Sequence, residues 1–156
     1  MTATSGRCHP SGVPPGSVVV EVVLDDRGSS GRGRITVLTL LWHPADPLAV
    51  EILVVAQPDH PALPRGRWVV LRDFLRYGVD EPTGDGAVRI RPDPARSRVE
   101  LELARPGRDA RVSVPRDTVL AFLEQTERSV PSGSERSDQA IDALLARLLG
   151  TEPPET

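Results

Sequence analysis

Lysine and asparagine are absent from this chain of 156 residues, cysteine occurs once, and aromatic residues make up only 3% of it. Each shortage excludes something. With Cys8 as the sole cysteine, no intramolecular disulfide can form. Few aromatics mean few platforms on which bases could stack. The 19 basic residues are all arginine and are outnumbered by 22 acidic ones, for a net charge of −3. That balance does not suit the clustered positive charge that phosphate binding relies on. No apolar run approaches the roughly 18 residues needed to span a bilayer. The N-terminus lacks the basic-then-apolar pattern of a secretory leader. The expectation is an intracellular, cytoplasmic protein whose length allows a single domain with its own core.

What is present is strand alternation followed by helical periodicity. Residues 1–16 are rich in Pro, Gly, Ser and Thr without apolar periodicity, and read as a disordered arm. Residues 17–150 read as one domain and residues 151–156 as a disordered tail. Strands are predicted over Ser17 to Leu24, ending at Asp25-Asp26, then Ile35 to Trp42, Leu48 to Ala56 and Trp68 to Leu71. Pro44 and Pro47 should break the chain between the second and third, since proline cannot donate to a ladder. A short helix over Arg72 to Tyr77 should close at Gly78 in a left-handed cap. After a turn over Pro82 to Gly86 come Ala87–Arg91, Arg98–Ala104 and Ala110–Val114. In these, Val99, Leu101 and Leu103 alternate with Glu100 and Glu102, so one face is buried and one is wet.

Pro115 suits the first turn of a helix, and Asp117 suits its positive dipole end. Val119, Phe122 and Leu123 form its apolar stripe. A loop from Val130 to Ser137 leads to a last helix striped by Ile141, Leu144, Leu145, Leu148 and Leu149, read first as facing the core, with self-association through this stripe and the strand edges as its other use. Gly150 and Pro153-Pro154 stop it. The fold class is α+β.

The wet face carries arginines and glutamates in a register that can be narrowed. Opposing Arg91 to Arg98 places Arg89 opposite Glu100; sliding by two places Arg91 opposite Glu100 and Arg89 opposite Glu102. Glu102 also falls opposite Arg111. Opposite charges across a sheet contribute roughly 0.2–1 kcal/mol per pair. A solvated face of mixed charge is therefore expected in place of a phosphate track.

No set of residues populates a catalytic, cofactor or metal site. His9, His43 and His60 each adjoin a proline, and Cys8-His9 has no second ligand pair at metal spacing. Ser132-Gly133-Ser134 is a linker and lacks the context of a nucleophile elbow. Gly84-Asp85-Gly86 precedes a strand, so it reads as a hairpin turn and not a dinucleotide loop. Asp25-Asp26 reads as a solvated turn. Trp42 and Trp68 are expected as core anchors at strand ends. No enzyme activity is expected.

From Trp42 onward, landmarks recur in an order that resembles the SsgA-like family of sporulating actinobacteria. They include Trp42, Asp46-Pro47, Trp68, Leu71-Arg72-Asp73, Gly78, Pro82-Thr83-Gly84, Gly86, Pro106-Gly107, Phe122-Leu123, Val130-Pro131, Gly133, Glu135, and the final helix with Leu144. Trp42 and Leu48 stand where that family commonly has tyrosine. The resemblance implies antiparallel β-sheets in a barrel-like body similar to the Whirly-type single-stranded nucleic-acid binders, with a short helix mid-chain and two C-terminal helices. It implies a homo-oligomer, expected as a trimer, without catalysis or cofactors. It also implies a role in septum-site selection, septation or spore-wall assembly. Partners would be cell-division or spore-wall proteins, among them FtsZ or other SsgA-like proteins, with recruitment to division septa. The motif residues are expected to be structural. The alternative is a single-stranded nucleic-acid-binding module built on the same body.

Overall fold

The structure, a computed structural model, describes residues 13–27, 33–56, 66–84, 86–106, 108–135 and 137–150. The expectations for Cys8, His9, His60, Asp85, Gly107, residues 1–12 of the arm and the tail 151–156 lie outside these residues.

Strands β1 (Val18–Arg27), β2 (Gly33–His43), β3 (Asp46–Ala56) and β4 (Gly66–Leu71) form an antiparallel meander in the order β1-β2-β3-β4. β1 outlasts its expected end: Asp25 and Asp26 pair with Ile35 and Arg34, so they lie inside a strand and not in a turn. The proline break is tighter than expected. Pro44 and Ala45 make the whole turn, Asp46 already faces His43, and Pro47 lies within β3. A register shift between Trp42 and His43 accommodates it, and proline is tolerated beside such irregularities. The Trp42 indole Nε1 donates to the Pro47 carbonyl at 3.0 Å, tying the two strands across the turn.

Helix α1 (Arg72–Gly78) leads to the second sheet, β5 (Val88–Asp93), β6 (Arg98–Arg105) and β7 (Arg108–Pro115), with a 3-10 turn at Pro94–Arg96. Gly78 corrects the expected cap. It lies inside α1 and is not among the positive-φ glycines, and the C-cap residue Val79 has φ −70°. Close approach is what requires glycine here, because a Cβ on Gly78 would sit 2.3 Å from Ile90 Cγ2. Gly84 is needed for both reasons: its φ is +93°, and a Cβ would meet the Val88 carbonyl oxygen at 2.4 Å. β5 pairs with β6 in the second of the two foreseen registers, Arg91 opposite Glu100 and Arg89 opposite Glu102, and Glu102 faces Arg111 on β7.

Pro115 is the N-cap residue that ends β7, one place earlier than expected, and α2 (Arg116–Ser129) follows with Asp117 in its first turn. Helix α3 (Ser137–Leu148) closes the described chain. One core unites the inner faces of both sheets with α1 and α2: Leu38, Leu40 and Trp42 meet Val50 and Ile52, Leu101 and Leu103, and Val119 and Phe122. Period-2 alternation in the strands and the Val119-Phe122-Leu123 stripe in α2 supply it as expected. The fold is thus α+β with antiparallel sheets and three helices. Among the described residues the strands pair as two separate sheets, and β1 approaches β7 without pairing to it. No described helix is long and apolar enough to cross a membrane.

Candidate protein-interaction surface

Trp42 and Trp68 are buried, as core anchors should be. Trp68 Nε1 donates to the Ala104 carbonyl at 3.0 Å, which stitches β4 of one sheet to β6 of the other. His43 sits at the β2–β3 turn. Its Nδ1 accepts from the Ala45 N–H at 3.0 Å, so Nε2 carries the proton and donates to the Pro15 carbonyl at 3.2 Å. Among the described residues no three His, Cys, Asp or Glu side chains converge as metal ligands.

The most unusual buried group is Arg72, the first residue of α1, at 1% relative exposure. A charge so placed needs partners. Its guanidinium carbon lies 5.6 Å from the Trp42 ring centroid, Nη1 donates to the Val130 carbonyl at 2.8 Å, and Nη2 pairs with Glu135. One turn on, Arg76 pairs with Glu127 of α2. Glu127 also accepts from the Ser132 backbone N–H at 3.0 Å and from its hydroxyl. The Gly133 N–H donates to Glu135 at 2.6 Å. The α2–α3 connection, expected as a plain linker, is therefore fastened to α1 by Arg72 through Val130 and Glu135, and to α2 through Ser132 and Glu127, the carboxylate that Arg76 also holds.

Burial works to raise both carboxyls, but it is outweighed. Hydrogen bonds from Ser132 and the nearby Arg76 and Arg72 hold Glu127 below its ordinary value. Backbone N–H donors at Glu135 and Gly133, with Arg72, do the same for Glu135.

The fastened connection positions α3, which packs on β3. Arg147 in its last turn pairs with both Asp46 and Glu51, and Glu51 also accepts from Arg67 at 2.7 Å. Glu51 alternates with the core residues Val50 and Ile52, so α3 lies on the outer face of the four-stranded sheet. Residues three apart share a helical face, so Leu144 and Arg147 turn inward together. The roll set by the Arg147 pairs carries the rest of the leucine-rich arc away from the sheet. The expectation that this stripe faces the core is thus corrected. Leu144 is buried at 7% exposure, whereas Ile141, Leu145, Leu148 and Leu149 are 45%, 49%, 55% and 75% exposed. Val23 and Val55, on the outer side of the same sheet, are exposed as well. Large exposed apolar patches mark interaction sites far more often than single exposed residues do.

The outward face of the second sheet is polar and internally matched. Glu102 accepts from Arg111 at 2.8 Å and from Arg91, diagonally, at 3.4 Å. Arg98 Nε donates to the Ser113 hydroxyl at 2.7 Å. Arg89 stands directly opposite Glu102, whose two oxygens are already engaged, and lines a hollow of about 440 Å³ together with Asp109 and Arg111. Acidic and basic groups alternate across this face.

The other motif residues are spread through the fold and do not converge. Asp46 holds Arg147, and Pro47 receives the Trp42 indole. Asp73 pairs with Arg76 at 3.3 Å. Exposed Pro82 precedes Thr83, which pairs with Ile90. Gly86 has φ +68°. Pro106 is exposed after β6, Phe122 lies in the core, and the exposed Pro131 accepts from Ser134. Sequence reasoning marked Arg72 only as part of a family landmark and assigned no role to Glu127 or Arg147, because the ion pairs these residues make span up to 101 positions.

A family profile described as "Streptomyces sporulation and cell division protein, SsgA" matches residues 36–135. The chain is 36% identical over 139 residues to the sporulation-specific cell division protein SsgB of Frankia casuarinae, covering 88% of this chain and 94% of that one. It is 33% identical over 136 residues to the SsgB of Kineococcus radiotolerans, covering 85% and 79%. A solved SsgB structure concerned with longitudinal cell division during sporulation of Streptomyces coelicolor superimposes with a TM-score of 0.65. It shares 30% identity and covers 76% of this chain and 92% of that one. The SsgA-like sporulation-specific cell division protein from Thermobifida fusca gives 0.63, with 29% identity and coverage of 85% and 95%.

Proposed function

The chain belongs to the SsgA family of sporulation and cell division proteins, and from that premise we propose that it is a non-enzymatic adaptor that helps to place or build the sporulation septum through protein–protein contacts. It works in the cytoplasm, is recruited to division septa, and acts as a homo-oligomer, expected as a trimer. The observation that carries this reading is the apolar face that α3 turns outward while its inward side is fixed by Arg147. Apolar residues grouped on one exposed helix face favour contact with another protein more than single scattered ones do. The alternation of Arg91, Glu102 and Arg111 on the other sheet supports contact with proteins over contact with phosphates. The motif positions serve this role by holding the body in shape: Asp46, Gly78, Gly84 and Trp42 fix turns, close approaches and the seat of α3.

The test is to follow a fluorescently tagged chain in sporulating cells and to identify cross-linked partners by mass spectrometry. Bands at nascent septa and enrichment of division or spore-wall proteins are expected. A signal that stays diffuse throughout septation, with no such protein enriched, would overturn the adaptor reading.

A further inference from the structure

Helix α3 is held by different forces from the rest of the molecule. Helix α2 puts Val119, Phe122 and Leu123 into the core that unites the two sheets. Among the described residues of α3 only Leu144 is buried, and it stands outside that core. Charge fastens α3 at both ends. Glu135, two residues before its start, is held by Arg72, and Arg147 in its last turn is held by Asp46 and Glu51.

The second fastener has its seat in an apolar patch. Glu51 has Ala49 and Leu53 beside it along β3, Leu41 opposite on β2 and Val69 opposite on β4, all of them buried or half-buried. Two guanidiniums share its carboxylate, Arg147 from α3 and, at 2.7 Å, Arg67 from β4. Like charges held on one carboxylate repel each other. If Arg147 leaves, Arg67 stays, so Glu51 is not stranded without a partner. Asp46 loses its arginine in that event, but its other oxygen, Oδ1, is already buried without a hydrogen-bond partner. Opening lets water reach both oxygens, which offsets part of that loss.

We propose that α3 is a releasable strap. It lifts from β3 at its Arg147 end as one unit, while the two sheets, α1 and α2 stay folded. Elements with few buried apolar contacts open locally in this way, below the cost of global unfolding. Lifting bares the patch around Glu51, so this part of the surface is available only in the open form. Ion pairs set the balance between the two forms, whereas apolar burial holds the body beneath. The strap is measured on the chain alone, and its failure would leave the adaptor reading untouched.

The experiment is native-state hydrogen exchange on the full chain, read by mass spectrometry for α3 and α2 separately, with Trp42 and Trp68 emission reporting on the body. Wild type is compared with Arg147→Gln and Arg67→Gln. In the wild type, α3 should exchange faster than α2. Between about 0.1 M and about 1 M potassium chloride the screening length falls from about 10 Å to about 3 Å, and exchange of α3 should quicken several-fold while α2 and the tryptophan emission do not change. Arg147→Gln should quicken α3 by about tenfold, between the effects of an exposed ion pair and a buried one. Arg67→Gln should slow it, because Glu51 would then lose its last partner on opening. A helix that merely frays would not respond to the two arginines with opposite sign. Exchange of α3 as slow as that of α2, or indifferent to both salt and Arg147→Gln, would overturn the strap. So would α3 opening only together with a change in tryptophan emission, or Arg67→Gln failing to slow it.

Discussion

The guanidinium of Arg72 lies over the Trp42 indole, 5.6 Å from its centroid, and reaches past it to the Val130 carbonyl and Glu135. The pair joins the end of β2, the start of α1 and the approach to α3 at one point. Removing one partner of a buried ion pair typically costs about 3–5 kcal/mol, because the other charge is left stranded. Arg72→Ala is expected to destabilise the chain by about that much in urea denaturation. Arg72→Met/Glu135→Gln should cost less than the sum of its single changes, the mark of coupled residues. Additive losses would mean that the two groups act separately.

Gly78→Ala is expected to destabilise, against the usual gain of alanine over glycine in a helix. The new methyl would meet Ile90 Cγ2 at 2.3 Å and Cβ at 2.6 Å, so β5 or α1 must shift. Overpacking of this kind costs about 1–3 kcal/mol, readable as a lower midpoint in denaturant. An unchanged or higher midpoint would show that the contact yields easily.

Glu127 and Glu135 make stability depend on acid in a stated direction. Both carboxyls sit below their ordinary value of 4.5 in the folded chain. The unfolded chain therefore takes up protons first, and the stabilisation present above about pH 4.5 is lost as pH falls through the folded values. Stability measured from pH 7 down to pH 3 should fall most steeply below about 4.5. Glu135→Gln should lower the plateau at pH 7 and flatten the acid limb. A limb as steep as that of the wild type would place the effect elsewhere.

Glu102 holds two arginines with one carboxylate. Glu102→Gln should change stability by about 1 kcal/mol or less, as pairs on an exposed sheet face usually do. It should also free Arg91 and Arg111 from the carboxylate that now neutralises them, next to Arg89. A gel shift with a single-stranded oligonucleotide at low salt is expected to stay blank for the wild type and to appear, salt-sensitively, for the variant. A shift with the wild type itself would favour nucleic-acid binding.

Local pattern made most of the strands readable. The Val99, Leu101 and Leu103 alternation and the Arg–Glu spacing left two registers open, and the structure takes one of them. Pattern failed where the deciding partner is remote. Gly78 resembles a helix cap until Ile90 is brought against it, and the α3 stripe resembles a core face until Arg147 finds Asp46 and Glu51. Arg72 gave no signal of burial, because arginine is almost never buried without partners, and its acidic partner lies 63 positions away. The alternating positions of the strands carried their own meaning, whereas the helix that forms the candidate surface took its orientation from the sheet beneath it.

The indole of Trp68 spans from β4 to a carbonyl of β6, and so rivets the two sheets back to back. A hydrogen bond of this kind contributes about 0.5–1.5 kcal/mol net, and it couples the sheet that carries the leucine side to the sheet that carries the arginine side, so that loosening β4 would loosen its hold on β6.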